Sequence, residues 1–106
     1  MLESKYQRQL IKRLEELFPG CVIQKNDERE RQGIPDLTIF YKDRWAMLEV
    51  KASASAEIQP NQEWHVEQFN RLSFAAIIFP ENEEEILDEL QRAFQSAREA
   101  RVSQSE

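Results

Sequence analysis

Residues 33–53 read GIPDLTIFYKDRWAMLEVKAS. Two apolar runs, 37–41 and 45–51, flank a short polar turn around Lys42-Asp43-Arg44, the pattern of a β-hairpin. Charge interrupts both runs at the open end of that hairpin: Asp36 stands at the mouth of the first, and Glu49 and Lys51 lie near the end of the second. Buried and unpaired, such groups cost stability, so their presence asks for a reason. Strand side chains alternate between faces, which puts Met47, Glu49 and Lys51 on one side and Ala46, Leu48 and Val50 on the other. A hairpin centred near Asp43 pairs positions that sum to about 86. Asp36 is then expected opposite Val50, between Glu49 and Lys51, so that two carboxylates and one ammonium converge.

Outward from the hairpin, residues 3–18 carry Tyr6, Leu10, Leu14 and Leu17 at helical spacing, and Pro19-Gly20 stops that helix. Residues 21–25 form a short strand, and NDERERQ (26–32) is a charged loop without an apolar member. Small residues at 52–57 make a loop. Pro60 is a good first helical residue for a helix to Leu72, with Val66 and Phe69 inward. AAIIF (75–79) is a continuous apolar run suited to a buried central or parallel strand. Asn82 and Glu85 suggest a capping box for a last helix through Ile86, Leu87, Leu90 and Phe94. The expected order is α-β-β-β-α-β-α, an α/β fold with a mixed four-stranded sheet flanked by helices. Residues 1–100 make the domain, and 101–106 read as a polar tail.

The 106 residues suit one domain with a single core. No run approaches the roughly 18 apolar residues of a membrane span, and the charged N-terminus lacks a secretory core, so a cytoplasmic protein that is not secreted is expected. The single cysteine, Cys21, excludes an intrachain disulfide and a cysteine zinc site and suits a reducing compartment. A net charge of -6 argues by itself against nucleic acid, but the charge is uneven. Residues 1–51 hold ten Lys/Arg against nine Asp/Glu, net +1, while residues 52–106 hold four against eleven, net -7.

Two carboxylates held together repel unless a positive group lies between them. A hard divalent cation serves: Mg²⁺ takes one or two protein carboxylates and keeps waters and phosphate oxygens elsewhere. Such an ion acidifies a bound water and offsets charge on a phosphate, and Lys51 would orient that water or stabilise the developing negative charge. In outline this is a site for phosphodiester hydrolysis.

Pro35-Asp36, followed thirteen positions after the aspartate by Glu49-Val50-Lys51, resembles the signature of the PD-(D/E)XK nuclease superfamily. Gly33-Ile34-Pro35-Asp36 is similar to the Gly-x-Pro-Asp of virus-type replication-repair nuclease domains, and Gln62-Glu63-Trp64-His65 to the glutamine-led segment that follows their Glu-x-Lys strand. Holliday-junction resolvases of archaea share this core and order. The resemblance covers about residues 3 to 95 and implies a restriction-endonuclease-like core. It implies metal ligation by Asp36, Glu49, the Val50 carbonyl and Glu3, with Mg²⁺ as the ion and Mn²⁺ able to replace it. It makes Lys51 the catalytic lysine and Gln62 the group that steadies Lys51 or the scissile phosphate. Glu3 has independent support, since it lies near the core-facing stripe of its helix, although a glutamate there also complements the helix dipole. The family's usual glycine between the glutamine helix and the last strand is replaced by Arg71-Leu72-Ser73-Phe74, and the acidic helix start at 83–89 is unusual for a DNA-facing surface.

Taken singly, these residues have ordinary explanations: Asp36 as a turn residue after proline, Glu49 and Lys51 as an exposed pair on an edge strand. Taken with Glu3 and Gln62 they favour a site. Lys25, Arg29 and Arg31 are candidates for phosphate contact, and Trp64 and His65 for DNA contact, each against a solvated or core alternative. The expectation is a Mg²⁺-dependent DNA endonuclease selective for shape, such as a Holliday junction or branched DNA, working as a homodimer in a bacterial, archaeal or phage-infected cell. A nuclease fold used only to bind DNA or protein is the rival, and a subunit that needs a partner for activity is a third possibility.

Overall fold

The computed structural model of the chain describes residues 1–105, with side chains through residue 95. It is an α/β fold in the order α1 (Glu3–Leu17), β1 (Val22–Lys25), β2 (Leu37–Tyr41), β3 (Arg44–Val50), α2 (Pro60–Leu72), β4 (Phe74–Ile78), a 3₁₀ turn (Pro80–Asn82) and α3 (Glu83–Ser105). The sheet has the order β1-β2-β3-β4; β1, β2 and β3 are antiparallel neighbours, and β4 runs parallel to β3. The mixed sheet follows from the connections: a two-residue turn joins β2 to β3, whereas α2 carries the chain back so that β4 enters parallel. Of the two placements expected for the fourth strand, the parallel one holds, at the edge of the sheet rather than its centre. Helix α3 runs into the 101–106 segment as far as Ser105, and Glu106 lies outside the described residues.

The two faces of the sheet are used differently. Leu37 and Ile39 of β2, Ala46, Leu48 and Val50 of β3 and Ile78 of β4 meet Tyr6, Leu10 and Leu14 of α1 and Leu87, Leu90 and Phe94 of α3 in one core. The leucine stripe of α1 thus becomes its buried face. Phe18, Tyr41 and Phe94 close the far end of this core with ring centroids 5.1–5.6 Å apart. Tyr6 donates its hydroxyl to Glu83, and Arg13 pairs with Glu83 and Glu84, so part of the acidic start of α3 is spent on α1.

The other face carries α2, with no fully buried residue, over β3 and β4. Here lie Glu49 and Lys51, as the alternation of β3 requires. No helix among the described residues is long and apolar enough to cross a membrane.

The hairpin and the start of α3 differ locally from expectation. The hairpin register is 85 rather than 86: Leu37 pairs with Leu48 and Tyr41 with Arg44. Lys42 adopts φ 55°, which allows a two-residue turn and draws Arg44 into the strand. Asn82 forms no capping box with Glu85. Its side chain accepts from the Phe79 N–H at 2.9 Å and donates to the Ile77 carbonyl at 3.0 Å, closing the 3₁₀ turn. The replaced glycine between α2 and β4 has a simple account: Ser73 sits at φ -150°, its N–H bonds the Phe69 carbonyl, and no left-handed residue is required.

Candidate functional site

Asp36 reaches its position through the loop before β2. Asn26 staples that loop, its side-chain amide donating to the Pro35 carbonyl and to Thr38 Oγ1, both at 2.9 Å, while its backbone N–H bonds the Asp36 carbonyl. Pro35 is fully buried. Gly33 holds φ +86°, and a Cβ there would lie 2.9 Å from Asn61 Cγ and His65 Cδ2, so glycine is what lets the loop press against the first turns of α2. His65 Nε2 is 3.0 Å from the Gln32 carbonyl and clamps the same contact.

With the register at 85, Asp36 is level with Glu49 rather than Val50. Its Oδ2 accepts the Val50 N–H at 2.8 Å. The carboxylate thereby takes a backbone donor just beyond the last paired residues of β2 and β3, and is fixed at the edge of the Glu49 carboxyl.

Glu49 is only 1% exposed and Lys51 8%. Glu49 Oε2 lies 3.4 Å from Lys51 Nζ, but Oε1 is buried and receives no N–H or hydroxyl donor. Burial is the main cause that pushes the Glu49 carboxyl up to about 8; the negative charge of Asp36 and a hydrogen bond shared with it add to the rise, and Lys51 opposes it. Lys51 Nζ also donates to Gln62 Oε1 at 2.9 Å, and the Lys51 N–H bonds the Ile78 carbonyl. Gln62 Oε1 in turn accepts the Gln59 N–H at 3.0 Å, so helix α2's own N-terminus fixes the amide that fixes the lysine.

Glu3, at the head of α1, is exposed but electrostatically linked to this group. Partial burial and then the Asp36 charge raise its carboxyl, Lys51 lowers it, and Glu28 raises it. Asp36, Glu49, Lys51 and Gln62 are therefore brought together, with Val50 contributing its N–H while its side chain lies in the core. Glu3 stands at the margin.

The expected DNA contacts are less uniform. Arg29 is engaged by Asp27 through Nε and Nη2 at 3.0–3.3 Å. Lys25, on the edge strand β1, and Arg31, in the loop, are exposed. Trp64 is 56% exposed on α2, whereas His65 is occupied by the loop and stacked against Phe69. Asn26 and Asn61 carry no sequence signal of their roles, Asn26 because it opens a run of polar residues and Asn61 because its partner, Gly33, is remote in sequence.

Chemically, two carboxyls, one of them with an unpartnered buried oxygen, face an ammonium that is itself tethered. That donor set suits a small hard cation. Among the described residues no group of three or more His, Cys, Asp or Glu side chains stands in a metal-holding arrangement, so a cation here would draw its remaining ligands from water, backbone or substrate. Comparison with protein-family models, with curated proteins and with solved structures finds no match to this chain.

Proposed function

We propose that this protein is a Mg²⁺-dependent DNA endonuclease of the PD-(D/E)XK kind, hydrolysing phosphodiester bonds at Asp36, Glu49 and Lys51. The observation that carries the reading is the buried Glu49 carboxyl, one oxygen unpartnered, held against both the Asp36 carboxyl and the Lys51 ammonium. A structural salt bridge needs one carboxylate; a second, pressed against the first in a buried site, raises the cost of the fold unless a cation offsets it. Asp36 and Glu49 would hold that ion, with the Val50 carbonyl and Glu3, directly or through water, as further ligands. When bound, Mg²⁺ supplies Lewis acidity toward a water and a phosphate oxygen, and Mn²⁺ can replace it.

The remaining work falls to the chain's own groups. Lys51 presents an ammonium, tethered by Gln62, to charge developing on the phosphate or to the attacking water. Tethering at 2.9 Å limits the reorganisation left for the transition state. Burial and the neighbouring Asp36 charge favour the protonated form of the Glu49 carboxyl in the metal-free protein, and a bound cation would favour its ionised form.

A single domain whose sheet and helices are committed to the core and the site offers little surface for reading sequence in a groove. Substrate choice then rests on DNA shape, such as a Holliday junction or a branch. A homodimer presenting two sites answers the two cuts that a symmetrical junction needs. A free Cys21 suits a reducing compartment, and the proposed setting is the cytoplasm of a bacterial, archaeal or phage-infected cell.

The test is a substrate panel of labelled four-way junctions, flaps and plain duplex, each with Mg²⁺ or EDTA. Cutting confined to Mg²⁺ and favouring branched substrates supports the proposal. No Mg²⁺-dependent cutting of any substrate refutes the enzyme, and equal cutting of plain duplex refutes the shape preference.

A further inference from the structure

At Gln62, the residue that tethers Lys51, opens a cleft of about 230 Å³, walled on one side by Glu28, Gln32 and Gly33 of the loop and on the other by Asn61 and Gln62 of α2 with the preceding Gln59. Its volume falls below the ~300–1,000 Å³ typical of pockets for drug-sized ligands. The two walls are locked together at Gly33, against Asn61 and His65, and at the bond between His65 and the Gln32 carbonyl, so the cleft exists before any ligand arrives.

Its lining is unusual for a protein that handles DNA. No lysine or arginine faces it, and Glu28 adds a negative charge, so a phosphate is a poor occupant. Amides dominate instead. Among the described residues the side chains of Gln32 and Asn61 have no hydrogen-bond partner, and Gln62 spends only its carbonyl oxygen, on Lys51 and on the Gln59 N–H. Each free amide offers donors and an acceptor side by side, the pairing that matches the edge of a nucleobase. The Glu28 carboxylate accepts from an exocyclic amine. One turn along α2 from Asn61, Trp64 presents an exposed ring on which a base can stack.

We propose that this amide-lined cleft receives one unpaired nucleobase of the strand being cut, next to the scissile phosphate at Lys51. The preferred substrate is then DNA with a single-stranded flap or branch at the cut, and an amino-bearing base (adenine, cytosine or guanine) is favoured there over thymine. The inference rests on the nuclease reading for the place of the cut, but the cleft itself is defined by its walls alone.

Two measurements test it. In EDTA, where the proposed chemistry is off, single-stranded oligonucleotides are titrated against tryptophan fluorescence. Quenching by base-bearing strands that is lost with abasic strands, and weakened in Asn61→Ala, supports the cleft; equal quenching by abasic strands overturns it. With Mg²⁺, flapped duplexes carry an abasic site at one position at a time through the free strand. The expected result is a fall in kcat/KM of roughly 5- to 100-fold when the abasic site adjoins the cut, with little change further out. Asn61→Ala is expected to make the abasic and base-bearing substrates equal. A flat abasic series with active protein overturns the cleft and leaves the nuclease reading intact. If no substrate is cut, the nuclease reading fails and the fluorescence titration still decides whether the cleft binds a base.

Discussion

Replacing Glu49 by glutamine is expected to stabilise the metal-free protein at neutral and mildly alkaline pH, against the usual effect of substituting a buried polar residue. Below pH 4.5 the Glu49 carboxyl is protonated in both the folded and the unfolded chain. Between pH 4.5 and about 8 the unfolded chain releases this proton while the folded chain keeps it, so folded stability declines across that window and levels off above it. At 1.36 kcal/mol per unit the window from 4.5 to about 8 sets an upper bound of about 5 kcal/mol on this loss. Glutamine keeps the shape, has no charge to hold and can donate to Asp36, so Glu49→Gln lacks this slope. Urea unfolding in EDTA, followed by tryptophan fluorescence at several pH values from 4.5 to 8, measures the difference between the two proteins. Its growth with pH in favour of the variant is the expected result. Mg²⁺ is then expected to restore the wild type, by about 2.7 kcal/mol at a hundredfold excess over its dissociation constant, and to leave Glu49→Gln unmoved. Parallel pH profiles, or equal stabilisation of both by Mg²⁺, would refute the reasoning.

Three further substitutions probe the supports of the site. Gln62→Ala removes the 2.9 Å acceptor from a buried ammonium and is expected to cost about 1.5–3 kcal/mol in chemical unfolding. In cleavage kinetics the same variant should lower kcat more than it raises KM, because Lys51 remains but is no longer held. Gly33→Ala forces a side chain into φ +86° against Asn61 and His65, and should lose at least ~1–2 kcal/mol in the same unfolding assay. Asn26→Ala leaves the buried Thr38 hydroxyl and the Pro35 carbonyl without their partner; a loss of about 1–3 kcal/mol is expected, with faster amide exchange around Asp36.

The frame of the molecule was legible because its signals are periodic. Tyr6, Leu10 and Leu14 mark the buried stripe of α1, Pro60 starts α2, and strict alternation in β3 puts Glu49 and Lys51 on one face. What escaped depends on single backbone angles or on side chains acting across long sequence distances. The register slipped by one because Lys42 takes a left-handed conformation that neither Gly nor Asn announces. Asn82 resembles a helix cap in sequence, yet its amide is claimed by Phe79 and Ile77, on the strand side. The charged loop reads as either solvated or a source of phosphate-contacting cations, and neither reading reveals that Asn26 and Gly33 within or beside it anchor Asp36 and shape the cleft. Convergence of Asp36 with Glu49 survived the register error because the Asp36 side chain reaches forward to the Val50 N–H.

The most direct test of the central claim is the single-turnover cleavage rate on a labelled four-way junction, for the wild type, Glu49→Ala and Lys51→Ala, in Mg²⁺, Mn²⁺ and EDTA. The wild type is expected to cut with either metal and not in EDTA, and each variant to lose at least about 100-fold of that rate. Cutting by the wild type in EDTA, or undiminished cutting by Glu49→Ala or Lys51→Ala, would contradict the account.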